Sequence, residues 1–111
     1  MGFWGVKPQR ARYLPTELAE EDLEAIGVDI ATDNPARAAS FIQELRVQCQ
    51  RIAANPPGYR LRPELGDDIR SCAHGHYVLF FVTAQEDVTI IRILPGARDF
   101  PAILAPDDRG Q

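Results

Sequence analysis

Two helical patterns meet across a link too short to separate them, and this constrains the chain more than any other feature. Thr16 stands where a helix N-cap belongs, with Glu17, Glu20 and Glu21 in the turns where negative charge favours the helix dipole. Ala19, Leu23, Ile26 and Ile30 then recur at helical spacing, with Glu20, Glu21 and Glu24 on the opposite face. Asp33 or Asn34 can cap a second helix, and Pro35 fits its first turn, where a missing N–H costs nothing. Ala38, Phe41, Ile42, Leu45, Cys49 and Ile52 carry that stripe on until Asn55-Pro56-Pro57-Gly58 ends it. Helices joined so closely form an antiparallel hairpin, and their stripes need a third layer to cover them.

The third layer lies downstream. Arg12–Pro15 reads as a short first strand, and Ile69–Ala73, Tyr77–Thr83 and Val88–Leu94 read as three more. The turns His74-Gly75 and Gln85-Glu86-Asp87 make those last three antiparallel neighbours. Tyr77–Thr83 and Val88–Leu94 are apolar on both faces, so something beyond the hairpin must cover the sheet, and a partner chain is one candidate. The expected architecture is α+β: an N-terminal helical hairpin packed on a small antiparallel β-sheet. The expected boundaries are an N-terminal arm over 1–12, a folded domain over 13–100 and a C-terminal tail over 101–111.

At 111 residues, one domain with its own core is expected. Cys49 and Cys72 are too few and too isolated for a disulfide framework, and read as free thiols of a reducing cytoplasm. The longest apolar run, Tyr77–Val82, is far short of the ~18–20 residues of a membrane span, and MGFWGVKPQR lacks the apolar stretch of a secretory signal. A cytoplasmic protein is expected, without a membrane partner.

Charge narrows the function. Twelve basic against sixteen acidic residues leave −4, which argues against direct nucleic-acid binding through the phosphate backbone. Eleven of the bases are arginine, the side chain suited to forked pairing with carboxylates or phosphates. Nucleotide motifs and HExxH are absent, so no cofactor is expected. His74 and His76 flank a turn without a third ligand, so no metal site is expected either. Ser71 has no acid to orient a neighbouring His74, and Asp67-Asp68 read as turn formers. Arginines remain. Arg60 and Arg62 alternate in an extended stretch and project to one side. Arg70 and Arg92 lie on strands, and Arg98 follows the last one. Among Ile90, Ile91, Ile93 and Leu94, Arg92 needs a carboxylate, such as Glu64 or Asp99, or a partner's carboxylate or phosphate.

These residues also carry a resemblance. AEEDLEAIGVDIATDNPARAASFIQELRVQCQRIAANPPGYRLRPELGDDIRS, followed by GHYVLFF and RILPGARD, resembles the ParE branch of the RelE/ParE toxins of bacterial type II toxin–antitoxin modules, over roughly Tyr13 to Phe100. The resemblance implies a helical hairpin on a small antiparallel sheet. It implies a toxin that inhibits DNA gyrase by binding, with no catalytic residues, held in a hetero-oligomer by a ParD-like antitoxin. Arg60, Arg62, Arg70, Arg92 and Arg98 are then the candidate contacts for antitoxin or target. Related toxins cleave messenger RNA on the ribosome, which requires a base, an acid and cations on the phosphorane-like charge. This chain has no lysine after Lys7 and no tyrosine or histidine after Tyr77, and Pro95 stands where relatives often carry histidine. Message cleavage is the alternative, with a third reading as a degenerate toxin that only binds antitoxin and co-represses the operon.

Overall fold

The computed structural model describes residues 12–104. The expected arm falls almost wholly outside this range, as does the tail after Leu104. The elements in order are β1 (Tyr13–Pro15), α1 (Glu17–Ala31), α2 (Pro35–Ala54), a single 3-10 turn (Pro56–Gly58), β2 (Arg60–Leu61), β3 (Arg70–His74), β4 (Tyr77–Ala84), β5 (Asp87–Pro95) and α3 (Phe100–Leu104).

Both long helices begin as their caps dictate. The Thr16 Oγ1 accepts from the Ala19 N–H at 3.0 Å, and the Asn34 side chain, not Asp33, accepts from the Arg37 N–H at 3.1 Å. Pro35 occupies the first turn of α2, and the helix stops before Asn55-Pro56. The two apolar stripes converge on one face of the sheet. There Leu23, Ile26, Phe41, Leu45, Cys49 and Ile52 pack with Leu79, Phe81, Val88, Ile90 and Ile93. Burying each large side chain contributes about 1.5–3 kcal/mol.

The five strands are ordered β1-β5-β4-β3-β2. β3, β4 and β5 run antiparallel, as the short turns require. β1 instead joins β5 in parallel, which makes the sheet mixed. Parallel neighbours need a crossover of roughly a dozen residues or more, and the intervening hairpin supplies it. Arg60–Leu61 adds a two-residue strand on the opposite edge, next to β3.

A β-bulge sets the pattern of β5. Phe80 faces Arg92 and Phe81 faces Ile90, which leaves Ile91 as the extra residue. Ile90 and Ile93 are an odd number of positions apart, so a regular strand would send them to opposite faces. The bulge restores both to the helix side, while Ile91 and Leu94 turn to the outer face.

That outer face is covered from within the chain. Leu65 and Ile69, from the β2–β3 loop, bury Phe80 and Leu94 together with the half-buried Phe100, Ile103 and Leu104 of α3. Phe80 and Phe100 meet edge to face at 4.8 Å. The β2–β3 loop turns through Gly66 at φ 149° and Asp68 at φ 64°, which makes Asp68 a turn residue as expected. The φ of Gly66 is one that side chains rarely adopt, and a Cβ there would also press on the Cδ1 end of Ile69 at 2.9 Å.

Candidate functional site

The five arginines singled out in the sequence do not form one patch. They are divided between the two faces and the rims of the sheet, and three of them are held by partners in the chain.

Arg92 is the most tightly held. Its Nε donates to Asp22 Oδ2 at 2.8 Å and its Nη2 to Asp22 Oδ1 at 2.9 Å, a forked pair of the strong kind. The Ile93 N–H donates to the same Oδ2 at 2.9 Å. Asp22 replaces the expected Glu64 and Asp99. Glu64 binds Arg62, and Asp99 caps α3 by accepting from the Ala102 N–H at 3.4 Å. The sequence contains a signal for Asp22: it lies three residues after Ala19 and four before Ile26, on the flank of the buried stripe of α1. The hydrogen bonds that Arg92 donates to Asp22 hold its guanidinium above its ordinary pKa, against the opposing effect of burial.

The clamp also serves the sheet. β1 ends opposite Ile90, which leaves the rest of β5 an open edge. The Thr16 hydroxyl donates to the Ile91 carbonyl at 3.0 Å, and Asp22 takes the Ile93 N–H. Two residues further along, Pro95 has no N–H to offer. Side chains of α1 and its cap thus satisfy an edge that could otherwise recruit another strand.

Arg62 is committed on the outer face. Its Nε lies 2.7 Å from Glu64 Oε2 and its Nη1 donates to Ser71 Oγ at 3.1 Å. Its guanidinium stands 6.0 Å from the Phe80 ring centroid and 5.9 Å from that of Phe100, which ties α3 to the sheet. The bond from Arg62 holds the Glu64 carboxyl below its ordinary range. Arg70 donates to the Tyr59 carbonyl at 2.7 Å. Arg60 and Arg98 are exposed. Arg98 lines a shallow groove of about 320 Å³ between α1 and the end of β5, with Asp29, Tyr77, Arg92 and Pro95. Burial pushes the Tyr77 phenol up.

The histidines part company. His74 Nε2 lies 3.2 Å from Glu44 Oε1, and its ring packs 5.5 Å from that of Phe41 on the helix side. Glu44 also accepts from Arg37 at 2.7 Å, and this bond first, then that of His74, depresses its carboxyl pKa. His76 is exposed at the turn. Gly75 turns there at φ 60°, with the Phe41 ring 3.3 Å from where a Cβ would be. Among the described residues, no group of three His, Cys, Asp or Glu side chains is placed to hold a metal, and no helix is long and apolar enough to cross a membrane. Both cysteines are free, and burial pushes the Cys49 thiol up to about 12.

The chain matches the family model of the ParE toxin of the type II toxin–antitoxin system, parDE, over residues 13–100. No curated protein matches it. Among solved structures, the fold is similar to that of a chain from the chromosomal ParDE toxin–antitoxin system of P. aeruginosa, at 19% identity and a TM-score of 0.65, covering 77% of this chain and 95% of that one. With the family model spanning the hairpin, the sheet and the segment up to Phe100, this chain belongs to the ParE toxins of type II toxin–antitoxin systems.

Proposed function

We propose that this chain acts in the bacterial cytoplasm by binding DNA gyrase, without cutting nucleic acid, and that a ParD-like antitoxin neutralises it in a hetero-oligomer. The observation that carries this reading is the commitment of Arg92 to Asp22. Cleaving RNA through its 2′-oxygen needs a base near neutrality and cations free to meet the phosphorane charge. Arg92 is turned inward on a carboxylate, and Arg62 and Arg70 are bonded within the chain. His74 packs on the helix side while Arg62 stacks on the outer face, so the sheet lies between them. Tyr77, which shares the groove with Arg92 and Arg98, is pushed away from the pKa of a useful base. Binding needs none of these proton transfers.

Arg98 and Arg60, exposed at two rims, are the arginines this reading assigns to contact with antitoxin or target, through charge-assisted bonds to carboxylates. Purified toxin is expected to abolish supercoiling by gyrase, and added antitoxin to restore it. Arg98→Ala should weaken antitoxin binding about tenfold, or ~1.4 kcal/mol. Codon-by-codon cleavage of message in a purified translation system, with supercoiling untouched, would overturn the reading. Antitoxin binding without growth arrest on induction would leave only the co-repressor role.

A further inference from the structure

The helical hairpin holds a groove between its own two helices. The groove has a volume of about 380 Å³, and its walls include Glu20, Glu24, Gly27 and Val28 of α1 with Ile42 and Arg46 of α2. Glu20 and Ala31 mark its ends along α1, which makes it roughly 16 Å long at 1.5 Å per residue. Val28, on its lip, is 70% exposed, more than any other large apolar side chain among the described residues. Gly27 is part of the floor for no reason internal to the fold. It sits in the interior of α1, where glycine is a poor helix former, and its backbone is not left-handed. A Cβ there would stand 3.7 Å from the Ile42 side chain, an ordinary contact. Alanine would fit and would favour the helix, whereas glycine leaves room for another chain to approach closely.

Charge beside the groove is one-sided. Helix α1 holds six acids and no base, and of these only Asp22 is ion-paired with another described residue. Glu17 and Glu21, and likewise Glu20 and Glu24, stand four residues apart on one helix, where like charges repel. No base in the last turn offsets the helix dipole. We infer that this groove docks an amphipathic helix of the toxin's target, with its apolar stripe over Gly27 and Val28 and its Lys and Arg flank facing Glu20 and Glu24. The inference rests on the reading above that the target is gyrase, because an enzyme that handles DNA presents basic surfaces to its polyanionic substrate. A helix suits the site, since walls made of helices have their backbone bonds satisfied and offer only side-chain packing.

Other occupants fit less well. A second copy would set one acidic α1 against another. Nucleic acid and anionic lipid headgroups are repelled by the same face. An antitoxin segment that brings carboxylates to Arg60 and Arg98 has the wrong charge for α1. Arg46, the single base lining the groove, belongs to the α2 wall, so the basic flank of the partner lies over α1. The arginine rims and the acidic groove thus select partners of opposite charge.

The probe is a fluorescein-labelled synthetic helix with a leucine stripe flanked by lysines, and its counterpart with glutamate in place of lysine. Fluorescence anisotropy with the full-length toxin should show the lysine peptide binding at least tenfold more tightly. Gly27→Leu leaves the charge unchanged and fills the groove, so it should weaken that binding about tenfold with the circular dichroism unchanged. Val28→Glu should weaken it too, although it adds an acid, which separates fit in the groove from general attraction. Gly27→Ala should raise the melting temperature by a few degrees, because the fold does not need the gap. In the supercoiling assay, Gly27→Leu should raise the half-inhibitory toxin concentration about tenfold while antitoxin affinity stays the same. Four results would overturn the assignment: equal binding of the two peptides, binding indifferent to both groove variants, a Gly27→Leu toxin that inhibits gyrase as well as the parent, or displacement of the peptide by antitoxin. If the parent toxin leaves supercoiling untouched, the gyrase reading fails on its own, and the peptide measurements still decide whether the groove takes a basic helix.

Discussion

Each face of the sheet buries an apolar cluster, but the two are built differently. The helix side is closed by two long amphipathic helices whose stripes bury a contiguous core. The outer side is closed by pieces: Leu65 and Ile69 from a loop, one turn of helix in α3, and Arg62 lying across Phe80 and Phe100. Burial in small proteins does not require regular layers, since a fully buried Phe80 sits under segments with little secondary structure of their own. The faces should differ in how they respond to damage. A core between two helices is held rigid from many sides, whereas a single turn of helix can settle into a void.

Phe81 and Phe80 are adjacent, equally buried and on opposite faces, so they give the sharpest test. Phe81→Ala should cost about 4–5 kcal/mol in urea unfolding and Phe80→Ala about 3 kcal/mol, since α3 can close on the gap. Equal losses would break the comparison. Asp22→Ala comes next, at about 2–3 kcal/mol. This falls below the cost of breaking a fully buried pair because the Arg92 and Asp22 side chains are 22% and 13% exposed. It strips Arg92 of its partner and leaves the Ile93 N–H unmet, so hydrogen exchange at Ile93 should rise more than in the centre of β4. Phe100→Ala should cost about 1–2 kcal/mol, chiefly by releasing α3 from Phe80. Exchange protection should then fall on the outer face while the helical hairpin is unchanged.

The smallest effect concerns the partly exposed cluster of Arg37, Glu44 and His74. The Glu44 carboxyl is held below its ordinary value of 4.5, first by Arg37 and then by His74. Its contribution to stability is therefore complete above that value and is lost as pH falls through the lower folded pKa. Glu44→Gln should flatten this part of an acid titration of stability and change little at neutral pH.

Much of the helix-side face is legible in residue spacing alone. The stripes Ala19-Leu23-Ile26 and Phe41-Leu45-Cys49-Ile52 announce themselves by their period, and caps and prolines mark their ends. The three long strands are legible from their apolar runs and turns, with bounds shifted by a residue or so. The two apolar faces of Tyr77–Thr83 and Val88–Leu94 call for a second cover, for which a partner chain is a candidate, and α3 with the β2–β3 loop supplies one within the chain. β2 is too short to leave a periodic signal, and the direction of β1 depends on a neighbour far along the sequence. The arginines are legible as residues of interest but not as a site. Glu64 and Asp99 are the natural carboxylates for Arg92 by residue type and expected placement, whereas the actual partner is 70 residues away on α1.

By itself the sequence determined the hairpin, the strand segments and the need to cover both sheet faces, because helix and strand periodicities are local properties that a chain cannot hide. Only the tertiary structure decided that β1 runs parallel to β5, that a bulge at Ile91 brings Ile90 and Ile93 to the same face, and that Asp22 claims Arg92. Those outcomes depend on which backbone groups remain unpaired once the sheet has formed, and on which side chain is then within about 3 Å to satisfy them.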